Sequence, residues 1–160
     1  MYLGKQLVQN GLFLEGDEHW TLGEGWSVSN ERLGHEFIWP TITRGVATQD
    51  IEVAAGHKYN VTLRISSSYA NKMIVKIGDT EGPVLDEAGD YVYHNFEIVA
   101  GTDAGLEIRP ERVESGTTYT YIHSITVEEI FEGRVTPYGV ESLGGAVDIT
   151  RIVDGSEYQG

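Results

Sequence analysis

The sequence predicts an all-β fold, an antiparallel β-sandwich or barrel. Three observations carry this: a β-branched composition, period-two alternation along the first 130 or so residues, and no capped helical segment. Val (15), Ile (13) and Thr (13) far outnumber Ala (8) and Leu (10). β-Branched side chains lose rotamer freedom in a helix but pack well on a pleated surface. No stretch of ten or more residues places apolar side chains at a 3.6 period between start and stop signals. Crossover helices, and with them a parallel doubly wound sheet, are therefore not expected.

The first strands are expected at Lys5–Gln9, Trp26–Ser29 and Glu36–Trp39, followed by Val46–Val53. Between the first two, Asn10-Gly11 can take the positive φ angles of a tight turn. Gly25 lets the chain pass close to a sheet, and Trp26 supplies a large surface to plug one end of the core. The clearest strand is Lys58–Ser66, where Tyr59, Val61, Leu63 and Ile65 alternate with Asn60, Thr62, Arg64 and Ser66 after an Ala55-Gly56-His57 turn. Lys72–Ile77 is the expected hairpin partner, because the link Ser67–Asn71 is short and polar. Tyr91–Val99, Leu106–Arg109 and Tyr119–Ile130 complete the set. Beyond Ile130 alternation fades, and residues 132–160 hold six Gly, two Arg and five acids, with only Ala146–Val153 strand-like. The chain thus divides into a sandwich, residues 1–131, and a C-terminal extension, residues 132–160, suited to docking or oligomerisation.

Charge narrows the partners. With 11 Lys+Arg against 25 Asp+Glu the formal charge is −14. Phosphate backbones and anionic membrane surfaces are recognised by clustered basic residues, so neither nucleic acid nor membrane is an expected partner. Zero Cys removes disulfides, thiolate zinc sites and a cysteine nucleophile. No run approaches the ~20 apolar residues of a membrane span, and Met1–Asn10 lacks the basic start and apolar run of a signal peptide. A soluble chain made without an export signal is expected.

The segments Leu7-Val8-Gln9-Asn10-Gly11-Leu12-Phe13 and Trp20-Thr21-Leu22-Gly23-Glu24-Gly25-Trp26-Ser27-Val28 resemble the opening of a known group of domains. These are the carbohydrate-binding-module-like (galactose-binding-like) jelly rolls of bacteriophage structural proteins. The likeness continues through Thr48–Val53 with Ala55-Gly56-His57-Lys58-Tyr59, then Gly89-Asp90-Tyr91 to Ile98, and Ile122–Val127 as the closing strand, covering residues 5–130. The resemblance implies a jelly roll and a virion role: a capsid-decoration, head-fibre or tail-associated subunit. Other virion proteins would be its partners, the state a homo-oligomer with a trimer favoured, and the location the virion, assembled in host cytoplasm. Members often hold a structural calcium with the Asp of the closing strand, whereas this chain has His123-Ser124 there. Imidazole suits a hard cation poorly, so neither metal nor cofactor is expected.

A glycan site needs an exposed aromatic platform rimmed by amides or carboxylates. Trp39 at a strand end, Tyr69 beside Asn71 in a polar loop, and Tyr91 with Tyr93 on one strand face are the candidates, and Tyr119 with Tyr121 repeats the last pattern. Surface packing or a subunit contact accounts for these rings more simply, since interfaces are also enriched in Tyr and Trp. The acidic turns Asp79–Gly82 and Asp86–Asp90 lack the spacing of a calcium loop and read as solvated. No Gly-x-Ser-x-Gly elbow or His-Glu-x-x-His pair occurs, and 25 acids select no pair for glycoside hydrolysis. His94, between Val92 and Phe96, reads as a half-buried sheet residue. The sequence therefore suggests a non-enzymatic virion subunit that binds a surface glycan weakly at most, the alternative being a soluble carbohydrate-binding module.

Overall fold

Alternating strands need two covered faces, and the chain supplies them as two antiparallel sheets packed into a sandwich. The computed structural model describes residues 2–37, 45–67, 72–111, 118–131, 133–136 and 139–142. The larger sheet has six strands: β1 (Tyr2–Gln6), β3 (Trp26–Ser29), β4 (Arg32–Phe37), β6 (Lys58–Ser67), β9 (Gly89–Val99) and β11 (Thr118–Phe131). Their order is β3-β4-β11-β6-β9, with β1 also paired to β11. The second sheet runs β2-β5-β10-β7-β8, from β2 (Thr21–Leu22), β5 (Ala47–Gln49), β7 (Lys72–Ile77), β8 (Thr80–Glu81) and β10 (Leu106–Glu111). A hairpin, β12 (Gly133–Thr136) with β13 (Gly139–Ser142), follows.

The core lies between the inner faces, where period two delivers one side chain in two. Val61 and Leu63 of β6, Ile122 and Val127 of β11, Val75 and Ile77 of β7 and Ile108 of β10 are all fully buried. Burying each such side chain contributes ~1.5–3 kcal/mol. Trp26 joins this core as expected, and its indole N–H donates to the Gly45 carbonyl at 2.8 Å, so its one polar atom is satisfied.

The structure corrects several expectations. Strands β6 and β7 do not form a hairpin. Strand β6 pairs with β9 and β11, and β7 with β8 and β10, so consecutive strands lie in opposite sheets. Both carry an apolar face, and those faces meet across the core rather than edge to edge. The expected strand Val46–Val53 pairs only over Ala47–Gln49, because β10 opposes it only from Leu106 to Ile108. Ile51 is still buried as a loop anchor. The N-terminal strand lies at Tyr2–Gln6 rather than Lys5–Gln9. There the Gln6 side-chain oxygen accepts the N–H groups of Val8 (3.0 Å) and Val127 (2.8 Å), ending the ladder in favour of a side-chain bridge.

Asn10 takes positive φ (54°), and its amide holds the loop through Gly16 O, Glu18 O and Glu15 N–H. Gly11 serves a different purpose from that expected: a Cβ there would sit 2.4 Å from the Ile125 carbonyl oxygen, so the residue permits a close backbone approach. Gly25, conversely, does take positive φ (90°). The strand expected at Glu36–Trp39 is β4, whose described part ends at Phe37. Trp39, and the strand expected at Ala146–Val153, lie outside the described residues.

Candidate functional site

The outer face of the six-stranded sheet carries the residues that can meet a ligand, and register brings them together. Strand β9 is an edge strand with Tyr91, Tyr93, Asn95 and Glu97 pointing outward and Val92, His94, Phe96 and Ile98 turned toward the core. Tyr91 is 61 % exposed and Tyr93 is 55 % exposed, among the most exposed large side chains of the described residues. Of the other sequence candidates, Trp39, Tyr69 and Asn71 lie outside the described residues.

Two rows cross the sheet. In the first, Gly34 of β4 faces Tyr121 of β11, which faces Ser66 of β6, whose Oγ accepts the Tyr91 N–H of β9 at 3.0 Å. In the second, Tyr93 of β9 faces Arg64 of β6, which faces Ser124 of β11. Arg32 of β4 continues this row, one step beyond the Leu33–Ile122 pair. Three inter-strand intervals of ~4.8 Å make each row ~14 Å long. Beyond the second row the face turns polar: the Asn95 amide donates to Asn60 Oδ1 (3.0 Å) and Thr62 Oγ1 (2.9 Å).

Irregularities in the ladder shape the centre. The β6–β11 register shifts between Ile122 and Ser124, and the β6–β9 register shifts between Ile65 and Ser67. A bulge adds one residue to a strand and re-aims its side chain. Here His123 is re-aimed to stack on Tyr91, with ring centroids 4.1 Å apart and planes 22° off parallel. Its Nε2 lies 2.7 Å from Ser66 Oγ, so the two share a hydrogen bond while Ser66 Oγ also accepts the Tyr91 N–H. Burial, then the Arg32 charge, push the His123 pKa below its ordinary value, while Asp90 opposes them. Ser66 is buried and its lone pair is engaged, so the pair works as a clamp on the Tyr91 ring. Tyr91 itself has φ 53°, a left-handed conformation that costs of order 1 kcal/mol for a non-glycine residue and is held by this clamp.

Arginines cover the other rings. The Arg32 guanidinium lies 3.7 Å from the Tyr121 ring centroid and that of Arg64 lies 5.1 Å from Tyr93. Tyr119 and Tyr121 tilt together at 5.0 Å. One edge of the Tyr121 ring packs against Gly34, where an added Cβ would be 2.9 Å from two ring carbons.

The chain's other features are used locally. His57 Nδ1 and Glu129 are 2.6 Å apart, Glu81 pairs with Arg109 at 2.8 Å, and Asp79 accepts from the Thr102 hydroxyl at 3.2 Å. No cluster of three or more metal-ligating side chains occurs among the described residues. The second sheet has a polar cleft of about 340 Å³ lined by Thr48, Gln49, Asp50, Lys76, Asp79 and Glu107 among others. It offers no aromatic ring, and Lys76 and Glu107 sit 3.8 Å apart across its floor.

No family model and no curated protein matches the sequence. Solved structures do match the fold. A family 4 carbohydrate-binding module superposes with a TM-score of 0.56 at 17 % identity, covering 77 % of this chain and 99 % of its own. A family 61 module in complex with β-1,4-galactotriose gives 0.54 at 14 % identity, covering 79 % and 100 %. A family 29 module variant complexed with mannohexaose gives 0.56 at 10 % identity, covering 81 % and 93 %. The all-β sandwich expected from the sequence is thus the fold, and its reported neighbours are jelly-roll carbohydrate-binding modules.

Proposed function

We propose that this chain is a non-catalytic glycan-binding module that engages a polysaccharide along the outer face of the six-stranded sheet. The observation that carries the reading is the aromatic cluster itself: Tyr91 and Tyr93 of β9 and Tyr121 of β11 share one face of the sheet and are held by defined partners. Stacking of sugar C–H faces on rings needs fixed, wet, apolar surface, and loosely held side chains would give up rotamer entropy on binding. Asn60, Thr62 and Asn95 stand beside the rings to meet hydroxyl groups. That carbohydrate-binding modules share the fold supports the reading by analogy.

This is the soluble-module alternative of the two sequence readings. The virion-subunit reading, with docking through residues 132–160 and a homotrimeric state, rests on motif resemblance. The test is affinity electrophoresis of the intact chain through gels containing β-glucan, mannan, galactan, xylan or an acidic polysaccharide. Retardation in at least one gel, lost in Tyr91→Ala and Tyr93→Ala, is expected. Unretarded migration in all of them, with a stable trimer by light scattering, would reject the glycan reading in favour of assembly.

A further inference from the structure

The basic residues of this chain are unevenly used. Arg109, Lys58 and Lys76 each sit within 4 Å of a carboxylate. Arg32 and Arg64 do not: among the described residues neither has a carboxylate at ion-pair distance. Both instead lie over tyrosine rings of the site, and Arg32 Nε is shielded from solvent without a hydrogen-bond partner. In a chain of charge −14, two unpaired guanidinium groups in one row of one sheet face form a local positive strip. Acids do border it, Glu36 on β4 and Asp90 at the start of β9, but the strip between them carries the Arg32 and Arg64 charges.

A face built only for neutral sugar rings has no use for those charges, since a guanidinium over a ring covers apolar surface that a sugar could occupy. A guanidinium presents paired N–H donors that match a carboxylate or sulfate, and one stacked on a ring is already oriented and partly desolvated. We propose that the site takes an acidic polysaccharide, with Arg64 and Arg32 holding its carboxylate or sulfate groups while Tyr93 and Tyr91 support the sugar rings. This deepens the glycan-binding reading and rests on it. The net charge of −14 works against non-specific attraction of polyanions, so binding of this kind must be local to the strip.

The test measures the affinity of the intact chain, by calorimetry at low and physiological salt, for three soluble polymers. These are polygalacturonate, the same polymer with its carboxyl groups reduced to alcohols, and dextran sulfate. Expected is at least tenfold tighter binding of one acidic polymer than of the reduced one, weakening as salt rises. Preference for polygalacturonate or for dextran sulfate identifies the anion. Arg64→Gln should lower acidic-polymer affinity about tenfold and leave the unfolding midpoint near that of the parent. Arg64→Lys should recover part of the loss, and Tyr93→Ala should weaken acidic and neutral ligands together. Equal or tighter binding of the reduced polymer, or an Arg64→Gln variant that binds like the parent, overturns the acidic-ligand inference while the glycan reading stands. Failure to bind these polymers or any neutral glycan overturns both.

Discussion

Replacing Tyr93 by Ala removes a ring from the platform without opening the core, and its effect can be sized from its exposure. A tyrosine presents roughly 220 Å², so at 55 % exposed about 120 Å² is free. A stacked sugar ring covering half of that removes ~60 Å² from water, worth ~1.5 kcal/mol at ~25 cal/mol per Å². The expected result is a Kd about tenfold weaker. The same change costs little stability, because Tyr93 stands outward on the edge strand β9 and its defined partner is the Arg64 guanidinium 5.1 Å away. Loss of that contact and of β-propensity comes to ~0.5–1 kcal/mol, a midpoint shift of a few degrees for a chain of this size. Isothermal titration against a bound polysaccharide, beside thermal unfolding of both proteins, separates the two quantities. An unchanged Kd in a folded Tyr93→Ala protein would refute the assignment of this face.

Three further outcomes follow from the same geometry. Gly34→Ala places a Cβ 2.9 Å from the Tyr121 ring, so the ring must tilt away. Affinity should fall severalfold with every aromatic residue retained, and unchanged binding would show that Tyr121 lies outside the site. Gly11→Ala pushes a Cβ to 2.4 Å from the Ile125 carbonyl, which is backbone and cannot step aside, so destabilisation of ~1–3 kcal/mol is expected in urea unfolding. A parent-like midpoint would mean that the N-terminal loop is not seated on β11. The third concerns pH. His123 is held below its ordinary value of 6.5, chiefly by burial and then by Arg32, so the unfolded chain binds more protons in that range. The stability this neutral imidazole confers is present above about pH 6.5 and is lost as pH falls through the folded value. Between pH 7 and 5 the parent should lose stability more steeply than His123→Gln, and equal slopes would contradict the burial of His123 beside Arg32.

Much of the fold was legible in the residues because burial imposes a strict period on a strand. Lys72–Ile77 and Trp26–Ser29 are strands over the bounds read from alternation, and Lys58–Ser66 is short by one residue. Alternation says which side of a strand is apolar but not which neighbour covers it, so it predicts a β6–β7 hairpin where the two strands belong to opposite sheets. Tyr91 and Tyr93 were found as outward aromatic residues for the same reason that the strands were. Arg64 and Ser66 were visible on the polar side of their strand, yet their meaning depends on facing Tyr93 and Tyr121. Cross-strand register involves residues dozens of positions apart and leaves no local trace. His123 showed only as a missing carboxylate ligand, and the bulge that turns it onto Tyr91 is a two-strand property.

Ligand binding across β9, β6 and β11 on the outer face of the six-stranded sheet is tested most directly by titrating the isotope-labelled chain with a retained polysaccharide while following backbone amide shifts by NMR. The largest changes are expected at Arg64, Ser66, Tyr91, Tyr93, Tyr121 and His123, with little at Thr48, Lys76 or Glu107 on the opposite sheet. Shifts concentrated in the cleft of the second sheet, with the tyrosine rows unmoved, would contradict it.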